Sequence, residues 1–371
     1  MTGKSNVLVL FGGRSGEHDV SLMSARSVLS VLDPEKYTVT QVGITREGKW
    51  KSGQDTVSAF ENGDFSALKE VTLRHEPGDS TLYTVTSFGL EPLAHINVVF
   101  PILHGTFGED GTLQGLLEMA DLAYVGAGVL GSSVGMDKAL FKDIMRTRQI
   151  PVVDSVLTNR KQLEKEMDRV IEDIERMSGY PVFVKPANLG SSVGVTKCRN
   201  RSDLLEGLID AAQYDRRVLV EKGVNAREIE VSVLGNDDPK ASVAGEILPS
   251  REFYDYNAKY IDNASGLIIP APLELSLMER IRRYAVEAYK AVDCSGMARV
   301  DFLLDKNTNQ VFLNEINTIP GFTRISMYPK LWEASGLSYP ALVDRLIELA
   351  LERKVDRDQT KRIYRSKNEP V

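Results

Sequence analysis

Val7-Leu8-Val9-Leu10-Phe11 runs without a polar residue and stops at Gly12-Gly13. Such a run, closed by a glycine pair, reads as a buried strand followed by a tight turn. Helical periodicity then extends from Glu17 to Leu32 and ends before Pro34. Val39 to Thr45 and Ile96 to Leu103 read as further strands of the same sheet. Strand, glycine turn, helix, strand is the pattern of a parallel α/β layer, whose ligand sites gather at the carboxyl ends of its strands. Arg46 to Ser80 is polar and irregular, and reads as surface decoration.

A second unit begins near Gly126 and a third near Lys222, giving expected domains 1–126, 127–221 and 222–371. The second holds a helix from Lys138 to Gln149 and a charged amphipathic helix from Leu163 to Met177. Strands Pro181 to Lys185, Ser192 to Cys198 and Val218 to Glu221 follow. The third is rich in strands (Glu228 to Leu234, Ala241 to Leu248, Ala298 to Leu304, Val311 to Ile316), with helices Leu275 to Val292 and Pro340 to Glu352. The tail after Arg353 is charged and is expected to fray. A chain of 371 residues is long enough for two or three cores. Its net charge of -7 argues against nucleic acid or an acidic membrane as partner. No run is long enough for a signal core or a spanning helix, and the two distant cysteines, Cys198 and Cys294, suit free buried thiols; a cytoplasmic location is expected.

Gly126, Gly128 and Gly131 spell G-x-G-x-x-G. A dinucleotide site needs that pattern at a strand-to-helix turn. Only Ala123-Tyr124-Val125 precede it, and Ser132-Ser133-Val134-Gly135 starts a helix poorly, so the segment reads as a hinge. Lys185 ends a strand before Pro186, and Gly190-Ser191-Ser192-Val193-Gly194 leads into the next. Backbone N–H groups of such a flap can cover phosphates, with Lys138 and Lys185 supplying positive charge. A plain hairpin carrying a solvated lysine is the alternative.

The strongest chemical pattern is Arg299-x-Asp301 on one strand and Glu315-x-Asn317 ending the next. Residues two apart on a strand share a face. Adjacent strands would then gather three oxygen ligands suited to magnesium, unless the pattern is a salt-bridge ladder. The following loop, Thr318 to Ser326, offers Gly321 and a hydroxyl at Ser326 for hydrogen bonds to a small carboxylate.

Together, these segments resemble the D-alanine–D-alanine ligases of the ATP-grasp superfamily. The matching stretches are FGGRSGEHDVS from Phe11, HGTFGEDGTLQG from His104, VKPANLGSSVGV from Val184, EFYDYNAKY from Glu252, MARVDF from Met297 and NEINTIPGFTRISMYPKLW from Asn314. The resemblance implies an α/β (α+β) three-domain ATP-grasp fold that joins two D-alanines through an acylphosphate. It implies ATP as co-substrate, two magnesium ions (manganese can replace them) and a homodimer. Lys138 and Lys185 match lysines on the phosphates, Glu221, Lys222 and Val224 the adenine border, and Glu228 the ribose carboxylate. Asp301, Glu315 and Asn317 match the metal ligands, and Arg299 and the Gly321 backbone the oxyanion groups. Glu17 matches the carboxylate on the first substrate's ammonium, with Ser191 and Tyr260 as its companions and His104 in the same pocket. Lys259 and Ser326 match groups near the γ-phosphate and the second substrate's carboxylate.

Three rivals remain open. One is an ATP-dependent carboxylate–amine ligase with other substrates. Another is a nicotinamide oxidoreductase resting on the Gly126 pattern. The third is a nucleotide sensor without catalysis, which would be expected to lack a metal ligand that this chain retains.

Overall fold

The computed structural model describes residues 4–190, 193–248, 266–323 and 325–362. The opening strand β1 (Ser5–Gly12) pairs in parallel with β2 (Tyr37–Ile44) on one side and β7 (Val98–Ile102) on the other. Its apolar run is continuous because both faces are covered. Val7, Val9 and Phe11 enter a core with Leu22, Ala25 and Val28 of α1 (His18–Leu29) and Leu342, Leu346 and Ile347 of the C-terminal helix Tyr339–Asp358. Leu8 and Leu10 pack on the opposite side with Leu113 and Leu117 of helix Thr112–Met119. Gly12 closes the strand at φ +88°, where a Cβ would lie 2.4 Å from the Ile44 carbonyl oxygen, so only glycine fits.

The same sheet has eight strands, in the order β6 (Gly89–His95), β5 (Thr81–Thr86), β4 (Lys69–Leu73), β3 (Trp50–Ser52), β2, β1, β7 and β8 (Ala123–Tyr124), and the polar stretch after Arg46 belongs to it. Within that stretch lie β3 (Trp50–Ser52), helix α2 (Thr56–Asn62) and β4 (Lys69–Leu73). Hairpin β5 (Thr81–Thr86) and β6 (Gly89–His95) continues the antiparallel extension. Surface decoration was the wrong reading of this stretch. Few of its residues are apolar, but Val57, Phe60, Val71 and Leu73 are buried. An extension with one solvated face needs no longer apolar run.

The glycine pattern at Gly126 also differs from expectation. It follows the two-residue strand β8 (Ala123–Tyr124) and leads into a real helix, Val129–Met136. That helix forms despite poor local propensity because its small residues let it pack closely. A Cβ on Gly131 would stand 2.9 Å from the Asp293 carbonyl oxygen, and one on Gly135 3.0 Å from Thr318 Cγ2. These two glycines face protein, which leaves the dinucleotide reading without support. The charged tail remains helical to Asp358, with Arg353 stacked 4.2 Å from the Tyr124 ring centroid.

Two antiparallel sheets follow. One holds β9 (Ser155–Asn159), β10 (Val182–Pro186), β11 (Thr196–Cys198) and β12 (Arg217–Lys222) in the order β11-β10-β12-β9. Its core takes in Leu163, Val170 and Ile174 of the amphipathic helix Arg160–Met177 and the free, buried Cys198. The other is ordered β15-β14-β13-β16-β17: Gly266–Ile268, Lys240–Leu248, Ala226–Gly235, Gly296–Asp305 and Val311–Asn317. Val134, Phe141 and Met145, although they precede the first of these sheets in the chain, share the core of the second with Ile229, Val231 and Val300. Among the described residues no helix is long and apolar enough to cross a membrane.

Candidate active site

On the last sheet, Glu230 of β13 stands opposite Asp301 of β16, which stands opposite Glu315 of β17. Ser232, Arg299 and Asn317 form the adjacent row. Directly paired residues on antiparallel strands share a face, so the two rows present three carboxylates, a guanidinium and an amide side by side. The other face carries Val231, Val300 and Ile316 into the core. The Arg299 guanidinium donates to Asp301 from Nε at 2.8 Å and Nη2 at 2.7 Å, and its Nε lies 3.0 Å from Glu230 Oε2. Asn317 Oδ1 is buried and accepts no hydrogen bond from the described residues.

Two lysines approach from the helix Lys138–Thr147. Asp137 caps it by accepting a hydrogen bond from the Leu140 N–H at 2.9 Å, which fixes where its first turn points. Lys138 Nζ donates to the Leu189 carbonyl at 2.8 Å and lies 3.4 Å from Glu315 Oε2. One turn on, Lys142 is fully buried; its Nζ is 3.0 Å from Glu221 Oε1 and donates to the Asn314 carbonyl at 3.2 Å. Lys185, from β10, places Nζ 2.6 Å from Glu221 Oε2. Burial alone would raise the Glu221 carboxyl, but the ammoniums of Lys142 and Lys185 outweigh it and hold it at about 2.

Between these groups opens a cleft, lined by Lys138 and Lys185 on one side and Glu228, Arg299, Asp301 and Glu315 on the other. β10 and β11 form an antiparallel hairpin beside it. The base of the intervening loop is pinned where the Lys138 N–H donates to the Ala187 carbonyl at 2.9 Å.

The N-terminal sheet supplies the remaining groups. Glu17, at the start of α1, is buried, and its carboxylate packs against the loop after β10: a Cβ on Gly190 would be 3.1 Å from Glu17 Oε2. His104 Nδ1 lies 3.0 Å from the Ile319 carbonyl, which can only accept, so Nδ1 carries the proton. His104 Nε2 is 3.1 Å from Ser24 Oγ, and Ser24 Oγ accepts the Phe322 N–H at 3.3 Å. His104 thus ties the first sheet to the loop containing Gly321. Burial pushes the neighbouring Glu109 carboxyl up to about 7. Its Oε1 sits 3.7 Å from His104 Nδ1. Ser326 Oγ accepts the Thr323 N–H at 3.0 Å and abuts Gly321, where a Cβ would be 2.9 Å away.

Glu221, Lys222 and Val224 lie at the end of β12 and just beyond it; the Glu221 side chain is taken by lysines and Lys222 is exposed. Ser191, Lys259 and Tyr260 lie outside the described residues. Three residues escaped the sequence reading. Glu230 alternates with Glu228 along β13, and that spacing could have found it. Lys142 follows Lys138 by one helical turn, but nothing local shows that it is buried. Glu109 stands five residues after His104 in a loop whose contacts are long-range.

Two carboxylates and an amide oxygen suit a hard divalent cation that completes its shell with water and phosphate oxygens. The unsatisfied Asn317 Oδ1 fits that use. Among the described residues no three His, Cys, Asp or Glu side chains form a ready-made cage, so such a cation would depend on oxygens brought by a ligand.

Known proteins resemble this chain over nearly its whole length. Residues 6–127 match the family model described as D-ala D-ala ligase N-terminus, and residues 144–348 the one described as D-ala D-ala ligase C-terminus. A D-alanine--D-alanine ligase of Thermoanaerobacter sp. (strain X514) is 53% identical, covering 94% of this chain and 97% of its own. One from Acetivibrio thermocellus is 50% identical, covering 96% and 98%. Among solved structures, the D-alanine-D-alanine ligase from Coxiella burnetii superposes with a TM-score of 0.81 at 37% identity, over 96% of this chain and 98% of that one. The VanG D-Ala:D-Ser ligase from Enterococcus faecalis does so at 0.84 and 34%, over 94% and 100%.

Proposed function

The chain belongs to the D-alanine–D-alanine ligase family, and from that premise we propose how its residues join two D-alanines. The reaction is an ATP-dependent C–N ligation that makes D-alanyl-D-alanine for cell-wall precursor synthesis. The observation carrying the residue roles is the shared cleft, where Lys138 and Lys185 face Asp301, Glu315 and Arg299.

A carboxylate is a poor electrophile and must be activated. Glu17 binds the ammonium of the first D-alanine, within a pocket that His104 helps to shape. Lys138 and Lys185 hold the triphosphate, Glu228 the ribose, and Glu221, Lys222 and Val224 border the adenine. A carboxylate oxygen of the first D-alanine bonds to the γ-phosphorus as ADP leaves, giving an acylphosphate. Asp301, Glu315 and Asn317 would hold divalent metal, which we take to be two magnesium ions or manganese in their place, and it would supply charge that screens the two anions from each other. The second D-alanine, held through Ser326 and Lys259, loses an ammonium proton and its amine adds to the carbonyl. Arg299 and the Gly321 N–H stabilise the resulting oxyanion, and phosphate departs with its bridging oxygen. Ser191 and Tyr260 close over Glu17 and exclude water, which would hydrolyse the acylphosphate.

We read the three units as 1–126, 127–221 and 222–371, with ATP between the last two. A homodimer in the cytoplasm belongs to the same proposal, and sedimentation velocity tests its stoichiometry. Incubation with ATP, magnesium and D-alanine bearing labelled carboxylate oxygen tests the reaction. Dipeptide should form, with one label in the released phosphate; unlabelled phosphate would mean activation by another route, such as adenylation.

A further inference from the structure

Lys142 lies on the buried face of its helix beside Phe141 and Met145, an unfavourable place for an ammonium. Lys142 does not itself line the cleft, yet its partner Glu221 is shared with Lys185, which does. Two cations thus flank one buried carboxylate, and the group as a whole carries one net positive charge. Lys185 and Glu221 alone would cancel each other.

We propose that Lys142 is a charge-balancing and positioning residue for nucleotide binding: by satisfying Glu221 from behind, it leaves the charge of Lys185 available to a triphosphate. This rests on the reading of Lys185 as a phosphate-binding lysine. The buried Glu221 needs a cation whether or not ligand is bound. Without Lys142 it draws on Lys185 alone, and the phosphates must compete with a carboxylate 2.6 Å away. Lys142 also tethers the Asn314 carbonyl, one residue before Glu315, so the same ammonium joins the phosphate side of the cleft to the proposed metal strand. Burial pulls the Lys142 ammonium below its ordinary pKa, against the attraction of Glu221.

The test is a double-mutant cycle on the full chain, with the dissociation constant for magnesium-ATP measured by calorimetry without D-alanine. Lys142→Met should weaken ATP binding about tenfold or more, as expected for loss of a unit charge in a partly screened site. Adding Glu221→Gln should recover most of that loss, because the neutral amide no longer neutralises Lys185. A purely structural role predicts the reverse, since a second polar change in a damaged core adds to the first. Unchanged affinity in Lys142→Met, or a double variant binding no better than the single, overturns the inference. Should Lys142→Met not fold, the double variant is compared with Glu221→Gln alone: a change within about threefold supports charge balancing, and a tenfold loss refutes it. Failure of wild type to bind magnesium-ATP would overturn the ligase reading as well, whereas normal wild-type binding with additive variants overturns this inference only.

Discussion

Asn317→Leu should make the metal-free protein more stable and the enzyme nearly inactive. Asn317 Oδ1 is buried and accepts no hydrogen bond from the described residues. A buried acceptor left unsatisfied costs about 1–3 kcal/mol relative to a satisfied one, whereas an apolar replacement of similar shape is neutral or stabilising. Leucine is close to asparagine in shape and leaves no acceptor to satisfy. The metal-free variant should therefore gain about 1 kcal/mol, or ~2 °C in unfolding temperature. With magnesium and ADP the order should reverse, because wild type gains a bound complex that the variant cannot complete. Turnover should fall about a hundredfold, the usual consequence of losing one preorganised interaction in the transition state. The assay is thermal unfolding in chelator and in magnesium-ADP, alongside phosphate release. A variant that is less stable than wild type in chelator, yet keeps the magnesium-ADP shift, would falsify the assignment of Asn317 as a metal ligand.

Three further outcomes are expected. Glu315→Gln removes the charge facing Lys138 and should lower kcat about a hundredfold with little change in unfolding temperature; near-normal turnover would refute its metal role. Glu221 is held at about 2, below its ordinary 4.5, so its contribution is complete above pH 4.5 and is lost as pH falls toward 2. The linked stability is about 3 kcal/mol, so urea midpoints should fall more steeply between pH 5 and pH 3 in wild type than in Glu221→Gln; equal slopes would contradict the buried pairing. Tyr260→Phe should admit D-lactate as second substrate, most visibly at low pH, where the competing D-alanine amine is protonated. Product analysis with both nucleophiles decides this, and a variant that forms dipeptide alone across the pH series refutes the role given to Tyr260.

Much of the site was legible because strand periodicity is local. Alternation along Arg299-x-Asp301 and Glu315-x-Asn317 assigns each pair to one face whatever lies beside it. The apolar run Val7 to Phe11 likewise announces a strand buried on both sides. Order along the chain carried the family resemblance, and the comparisons bear it out.

Other features required the fold. The polar segment after Arg46 joins the first sheet through pairings that no short window contains. The helix after Gly128 forms because Gly131 and Gly135 fit closely against distant backbone and side chains, overriding weak propensity. Register alone sets Glu230 beside Asp301 and Asp301 beside Glu315, since periodicity names a face but never the neighbouring strand. Burial made Lys142 a partner of Glu221, and with it a lysine that resembles any other in the sequence became part of the site's charge balance. Sequence by itself determined the family and the elements and faces outside the stretch after Arg46 and the helix after Gly128; tertiary structure decided which charges meet, because those contacts join residues far apart in the chain and depend on the dielectric each one finds there.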